Sequence, residues 1–155
     1  MIAKDLMSAS VISVTPDTPV SDVAALLAKH HISGVPVLEN GRVVGIVNEM
    51  DLLHRFEIGT EQARSDPGWW ARLFGPDPAP SNYVKSHATR AQDVMNRTIV
   101  SVPEDAPLAT VASLLDARAV RRVCVVRDDQ LLGVITRADL VRALAAKAQA
   151  APKAA

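Results

Sequence analysis

The sequence predicts an α/β fold built from two tandem copies of one β-α-β-β-α unit. Three observations carry that prediction. The chain of 155 residues repeats itself at a spacing of 88. Within each copy, a run with apolar residues at helical spacing precedes two runs rich in β-branched residues,. Apolar residues make up 48 % of the chain, enough to build a core and too many for disorder,.

The repeat is legible residue by residue. Asp5-Leu6-Met7 returns as Asp93-Val94-Met95, and Ser13-Val14 returns as Ser101-Val102. Leu26-Leu27 returns as Leu114-Leu115, Gly45 as Gly133, and Asp51-Leu52 as Asp139-Leu140. About 15 identities fall over roughly 52 ungapped positions, and such a period decides the architecture,. A copy of that size buries too little surface to be stable alone, so the two are expected to pack as one body with a pseudo-twofold axis.

The elements follow in order. Val11-Ile12-Ser13-Val14 and Ile99-Val100-Ser101-Val102 read as extended runs. Asp17-Thr18-Pro19 is a helix start, with Thr18 able to cap and Pro19 suited to the first helical position. Val20, Val23, Ala24 and Leu27 recur at helical spacing, and Gly34 breaks that helix. Val35-Pro36-Val37-Leu38 and Val43-Val44-Gly45-Ile46-Val47 are two strands joined by a hairpin at Glu39-Asn40-Gly41-Arg42; the second copy turns at Asp128-Asp129. Apolar residues on both faces of these strands imply a sheet covered by helices. A last helix starts at Asn48 or Thr136. The expected organisation is repeat 1 over residues 1–56, an insert over 57–90, repeat 2 over 91–146 and an Ala-rich tail over 147–155.

Composition narrows the function. Seventeen basic and 17 acidic residues cancel, against the basic excess of a nucleic-acid binder,. One cysteine, Cys124, rules out an internal disulfide and fits a reducing compartment,. No apolar run approaches the roughly 18 residues that span a bilayer, and the N-terminus has no signal-peptide pattern. The expectation is a cytoplasmic protein with neither nucleic acid nor membrane as partner. His30, His31, His54 and His87 match no zinc spacing, and no nucleophile–base–acid series stands out, so neither a metal nor an enzyme is expected.

The opening Asp-x-Met, the Ile-Ser-Gly-Val-Pro-Val run over 32–37 and Gly-apolar-apolar-Thr-x-x-Asp over 133–139 resemble the cystathionine-β-synthase (CBS) domain. The first-copy version of the last run is Gly45-Ile46-Val47-Asn48-Glu49-Met50-Asp51. The ordered pair resembles a Bateman module, as in bacterial stand-alone CBS-pair proteins. The resemblance implies regulatory binding of an adenosyl ligand (AMP, ADP, ATP, NAD or S-adenosylmethionine) in clefts between the repeats. It implies a homodimer, and an effector protein whose identity is unknown.

Carried onto this sequence, the family pattern assigns Asp139 and Asp51 to the ribose hydroxyls, and Thr136 and Asn48 to ribose or phosphate. Asn48 lacks the hydroxyl, which ranks the second site above the first. Thr136 and Asp139 also read as a helix cap with its N3 acid, a purely local role. Val35, Pro36, Val123 and Cys124, with Ile12 and Val100, are the adenine-slot positions, and equally plain strand core. Arg121 and Arg122, with Arg118, are placed opposite His30, His31, Ser33 and Gly34. Arginine forks suit phosphate, and they also suit a solvated helix end.

All five aromatic residues, Phe56, Trp69, Trp70, Phe74 and Tyr83, lie over positions 56–83. Trp69 to Phe74 reads as a short helix with one aromatic face, followed by an extended stretch at Pro76, Pro78 and Pro80. A flap over its own module and a protein interface both fit. The alternative function is therefore an interaction module with empty clefts, acting through this insert.

Overall fold

A computed structural model describes residues 1–58 and 90–150. The aromatic insert beyond residue 58, with His87, and the last five residues of the tail lie outside the described residues. Eleven elements follow one another: α1 (Ala3–Leu6), α2 (Val20–His30), β1 (Gly34–Glu39), β2 (Arg42–Asn48), α3 (Glu49–Ile58), α4 (Ala91–Val94), β3 (Ser101–Pro103), α5 (Leu108–Ala117), β4 (Arg122–Arg127), β5 (Gln130–Thr136) and α6 (Arg137–Ala150). The class is α/β, with one five-stranded sheet in the order β1-β2-β5-β4-β3 and six helices among the described residues. β1 and β4 each carry four consecutive buried residues, as strands covered on both faces must,.

Two short helices, α1 and α4, were not expected. Each is closed by the acid of the Asp-x-Met motif, which takes the N–H of the residue before the helix: Asp5 Oδ2 accepts from Ile2, and Asp93 Oδ2 from Arg90, both at 2.9 Å,. The methionine of the motif lies over a glycine. A Cβ on Gly133 would overlap the Met7 side chain, and one on Gly45 would overlap Met95. The motif and the distant glycine are thus two halves of one contact, made twice.

The chain divides into two compact units that cut across the sequence repeats. One comprises Met1–Ile12, Leu38–Val44 and Arg97–Ala155, and the other Ser13–Val37 and Gly45–Asn96. In the unit holding most of repeat 2, the opening segment of repeat 1 completes the core. Ala3 N–H donates to Ala106 C=O at 2.8 Å and Lys4 N–H to Glu104 C=O at 2.9 Å. Ser8 and Val134 exchange both backbone bonds. Ala3 is fully buried with Val102, Ala106, Val111, Leu115, Val123, Val125 and Ile135. Each large member of that set contributes about 1.5–3 kcal/mol by leaving water.

The unit holding most of repeat 1 repeats the arrangement with the opening segment of repeat 2. Ala91 N–H donates to Thr18 C=O at 2.8 Å and Gln92 N–H to Pro16 C=O at 3.1 Å, while Ile46 and Asn96 exchange bonds. Ala91 is fully buried, as are Val23, Val35, Val37 and Val47. Arg90 pairs with Asp17 at 2.8 Å beside the Pro19–Arg90 bridge.

Several local expectations change. The extended run Val11 to Val14 forms only one bridge, Val14 with Val37, whereas β3 pairs with β4 over three residues in parallel register. The cause is Pro36. Its counterpart Cys124 donates its N–H to Val100 C=O at 2.9 Å, and proline has no N–H to give,. Helix α2 ends on His31 in the left-handed region (φ 51°), not at Gly34, which opens β1. Pro19 is the residue before α2, and Thr18 does not cap the helix: its Oγ1 accepts from Thr15 N–H at 3.0 Å. The hairpin turns are as expected. Asn40 and Gly41 (φ 51° and 78°) and Asp128 and Asp129 (φ 50° and 63°) all take the positive φ that tight two-residue turns demand,.

Candidate functional site

β5 ends at Thr136 and α6 begins one residue later. The junction is a capping box. Asp139 Oδ2 accepts the backbone N–H and the hydroxyl of Thr136, both at 2.7 Å, and Asp139 N–H points back to Thr136 Oγ1 at 3.4 Å,. The local role expected for these residues is therefore realised. Asp139 is nonetheless unusual for an acid, being only 3 % exposed,. Its second oxygen, Oδ1, holds the guanidinium of Arg142, one turn along α6,. The Arg142 side chain is itself 70 % exposed, so the ion pair sits at the mouth of a buried carboxylate.

The same junction in the first repeat is sparser. Asp51 Oδ2 accepts Asn48 N–H at 2.7 Å. Asn48 has no hydroxyl to donate, and Asp51 is half-buried. Beside it, Ser33 C=O accepts Glu49 N–H at 3.0 Å, which ties the start of α3 to the residue preceding β1. His31 is exposed at the end of α2.

The unit with Thr136 and Asp139 also holds Ile12, Val100, Arg121, Arg122, Val123 and Cys124. Antiparallel register puts Arg122 opposite Thr136, Val123 opposite Ile135 and Cys124 opposite Val134. Arg122, 9 % exposed, thus stands beside the capping box, while Arg121 and Arg118 are exposed. Val123 and Cys124 are fully buried, as are Val35 and Pro36 in the other unit; Ile12 and Val100 are half-buried. Burial pushes the Cys124 thiol up to about 11, against the opposing pull of Arg122, so it is protonated at neutral pH and behaves as a small apolar group,.

Arg142 is the residue that sequence reasoning missed. The signal was present: an arginine three residues after an acid on a helix is positioned to pair with it. An open hollow of about 640 Å³ lies elsewhere in the same unit, lined among others by Lys4, Glu104, Asp105, Arg127, Asp128 and Asp129. It contains none of the candidate residues. Glu104 there accepts from Arg127 Nε at 2.6 Å and pairs with Lys4 at 3.4 Å. Arg127 first, then Lys4, hold its carboxyl below the usual 4.5 against the effect of desolvation. Lys4, Glu104 and Arg127 thus pair with one another and tie the opening segment to β3 and β4.

Among the described residues, no group of three or more His, Cys, Asp or Glu side chains is arranged to hold a metal ion. No helix among them is long and apolar enough to cross a membrane.

A repeated α-β-β-α arrangement, preceded by a strand in the second copy and a single bridge in the first, with a capped acid at the last strand–helix junction of each copy, defines the class. A model of the CBS domain matches residues 3–58 and 91–146, and the chain belongs to that family, carrying the domain twice. The Methanocaldococcus jannaschii protein MJ1426 is 28 % identical over 162 residues, spanning 93 % of this chain and 91 % of its own. Among solved structures, CBSX2 in complex with AMP is 26 % identical, covers 95 % of this chain and 98 % of its own, and has a TM-score of 0.72. CBSX2 is a CBS-pair protein of Arabidopsis thaliana. The CBS domain pair of protein MJ0100, solved with 5′-methylthioadenosine and S-adenosyl-L-methionine, is 21 % identical with a TM-score of 0.66, covering 95 % and 98 % of the two chains. That last likeness speaks to the fold alone.

Proposed function

We propose that the chain is a regulatory module that binds an adenosyl ligand and performs no chemistry on it. The observation that carries the reading is the end-to-end likeness to a CBS pair that holds AMP, at 26 % identity over 95 % of the chain. The residues supply a physical rationale. Each repeat anchors an aspartate, Asp51 or Asp139, by one oxygen to the N–H that starts a helix. A carboxylate anchored that way keeps a second acceptor oxygen for a ribose hydroxyl. Arg121 and Arg122 offer forks for phosphate, and Thr136, Asn48 and Ser33 offer polar atoms beside the aspartates. AMP is the first candidate, with ADP, ATP, NAD and S-adenosylmethionine behind it. The module works as a homodimer in the cytoplasm and signals to an effector protein through the ligand's unequal affinity for two states.

The test is a thermal-shift panel of these ligands on the full chain, with GTP as control. A ligand at 100 times its Kd adds about 2.7 kcal/mol. In a protein of this size that raises Tm by about 5–11 °C. A shift with one adenosyl ligand that shrinks in Asp51→Asn or Asp139→Asn supports the reading. A folded protein indifferent to the whole panel refutes it.

A further inference from the structure

We infer that Arg142 is a built-in competitor for the ligand at the second repeat: its guanidinium occupies the acceptor oxygen of Asp139 that a ribose hydroxyl needs. The inference rests on the adenosyl-binding reading above and concerns how that site is controlled. Three donors already reach Asp139. Oδ2 takes the N–H and O–H of Thr136, and Oδ1 takes Arg142. Asp51, its repeat equivalent, accepts the Asn48 N–H through Oδ2 at 2.7 Å. The 88-residue shift puts His54 where the second repeat has Arg142. Arginine therefore stands at this aligned position in one repeat only.

The pair has the properties of a latch rather than a strut. Its acid end is 4 % exposed and fixed by the capping box, while its basic end is 70 % exposed on a long side chain. When the guanidinium swings into solvent the carboxylate keeps both donors from Thr136, so the latch opens without dismantling the helix cap. A ligand that donates to Oδ1 must first displace the guanidinium, and its apparent affinity falls by the fraction of time the latch is closed. The hydroxyl of Thr136 also draws on Asp139, a donor that Asn48 cannot supply to Asp51.

The experiment is calorimetric titration of the full chain with AMP and with 5′-methylthioadenosine, which has no phosphate, in wild type, Arg142→Ala and the double variant Arg142→Ala/Asp139→Asn. Arg142→Ala is expected to tighten both ligands by about two- to fivefold. The gain should disappear in the double variant and shrink as salt is raised, because the basic end of the pair is exposed,. Equal affinities in wild type and Arg142→Ala overturn the inference. Weaker AMP binding with 5′-methylthioadenosine unchanged also overturns it, and makes Arg142 a phosphate contact. No heat with either ligand in any folded variant overturns the adenosyl reading itself.

Discussion

Replacing Asp139 with alanine should cost clearly more stability than replacing Asp51, although the two positions are repeat equivalents. Asp139 is nearly inaccessible and accepts two hydrogen bonds from Thr136 at 2.7 Å, besides pairing with Arg142. Hydrogen bonds to a charged group are worth about 1.5–3 kcal/mol each, and the two share one oxygen, so they do not add fully. Alanine also removes the cost of burying a carboxylate. The net loss for Asp139→Ala is about 1–3 kcal/mol. Asp51 is half-buried and takes a single N–H, so Asp51→Ala should cost about 0.5–1 kcal/mol,. The midpoints of the two ranges correspond to a Tm gap of about 2.5–5 °C in a chain of this length. Urea and thermal unfolding followed by circular dichroism measure it directly. Equal losses, or a larger loss for Asp51→Ala, would refute the claim that Thr136 and burial make the second box the stronger one.

Two further outcomes are expected. Gly133→Ala should destabilise the protein by about 1–3 kcal/mol, more than Gly45→Ala, because the added methyl meets the Ser8 carbonyl as well as the flexible Met7 side chain, whereas the three nearest atoms at Gly45 all belong to the Met95 side chain,; comparison of the two denaturation midpoints decides. Glu104 has a folded pKa held below 4.5, so its contribution is present above that value and lost as pH falls through the lower folded one,. Glu104→Gln should therefore lose less stability than wild type on acidification below about pH 4.5, and parallel acid limbs would count against this.

Much of the fold was legible because its signals are local. Hairpin turns need residues that tolerate positive φ, and Asn40-Gly41 and Asp128-Asp129 announce them,. The Thr136–Asp139 box follows from spacing alone,. Pairings between distant segments were not legible. Pro36 sits inside β1, and its effect falls on the neighbouring run Val11 to Val14, which loses its ladder,. His31 closes α2 because a left-handed residue is needed there, and histidine accepts that conformation well enough that glycine is unnecessary,. The adenine-slot positions were ambiguous by nature: Val35, Pro36, Val123 and Cys124 are fully buried, and a β-branched strand reads the same whether it lines a slot or a core. Nor does any residue near Ala3 or Ala91 declare which repeat it will complete. Both segments are chemically alike, and only the three-dimensional path of the chain distinguishes them.

That reciprocal completion governs the order in which the polypeptide can mature during synthesis. Residues 1–6 are synthesised well before their partners Ala106 and Glu104, about a hundred residues further along, and α1 contacts β5 and α6 later still. The body of the first repeat likewise lacks Ala91 until the second repeat has begun to emerge. Neither core can close vectorially, repeat by repeat, as domains of a nascent chain usually do. The duplication therefore behaves in biogenesis as one late, cooperative event, and a ribosome that stalls within residues 59–89 would hold two unfinished halves of different cores rather than one finished domain.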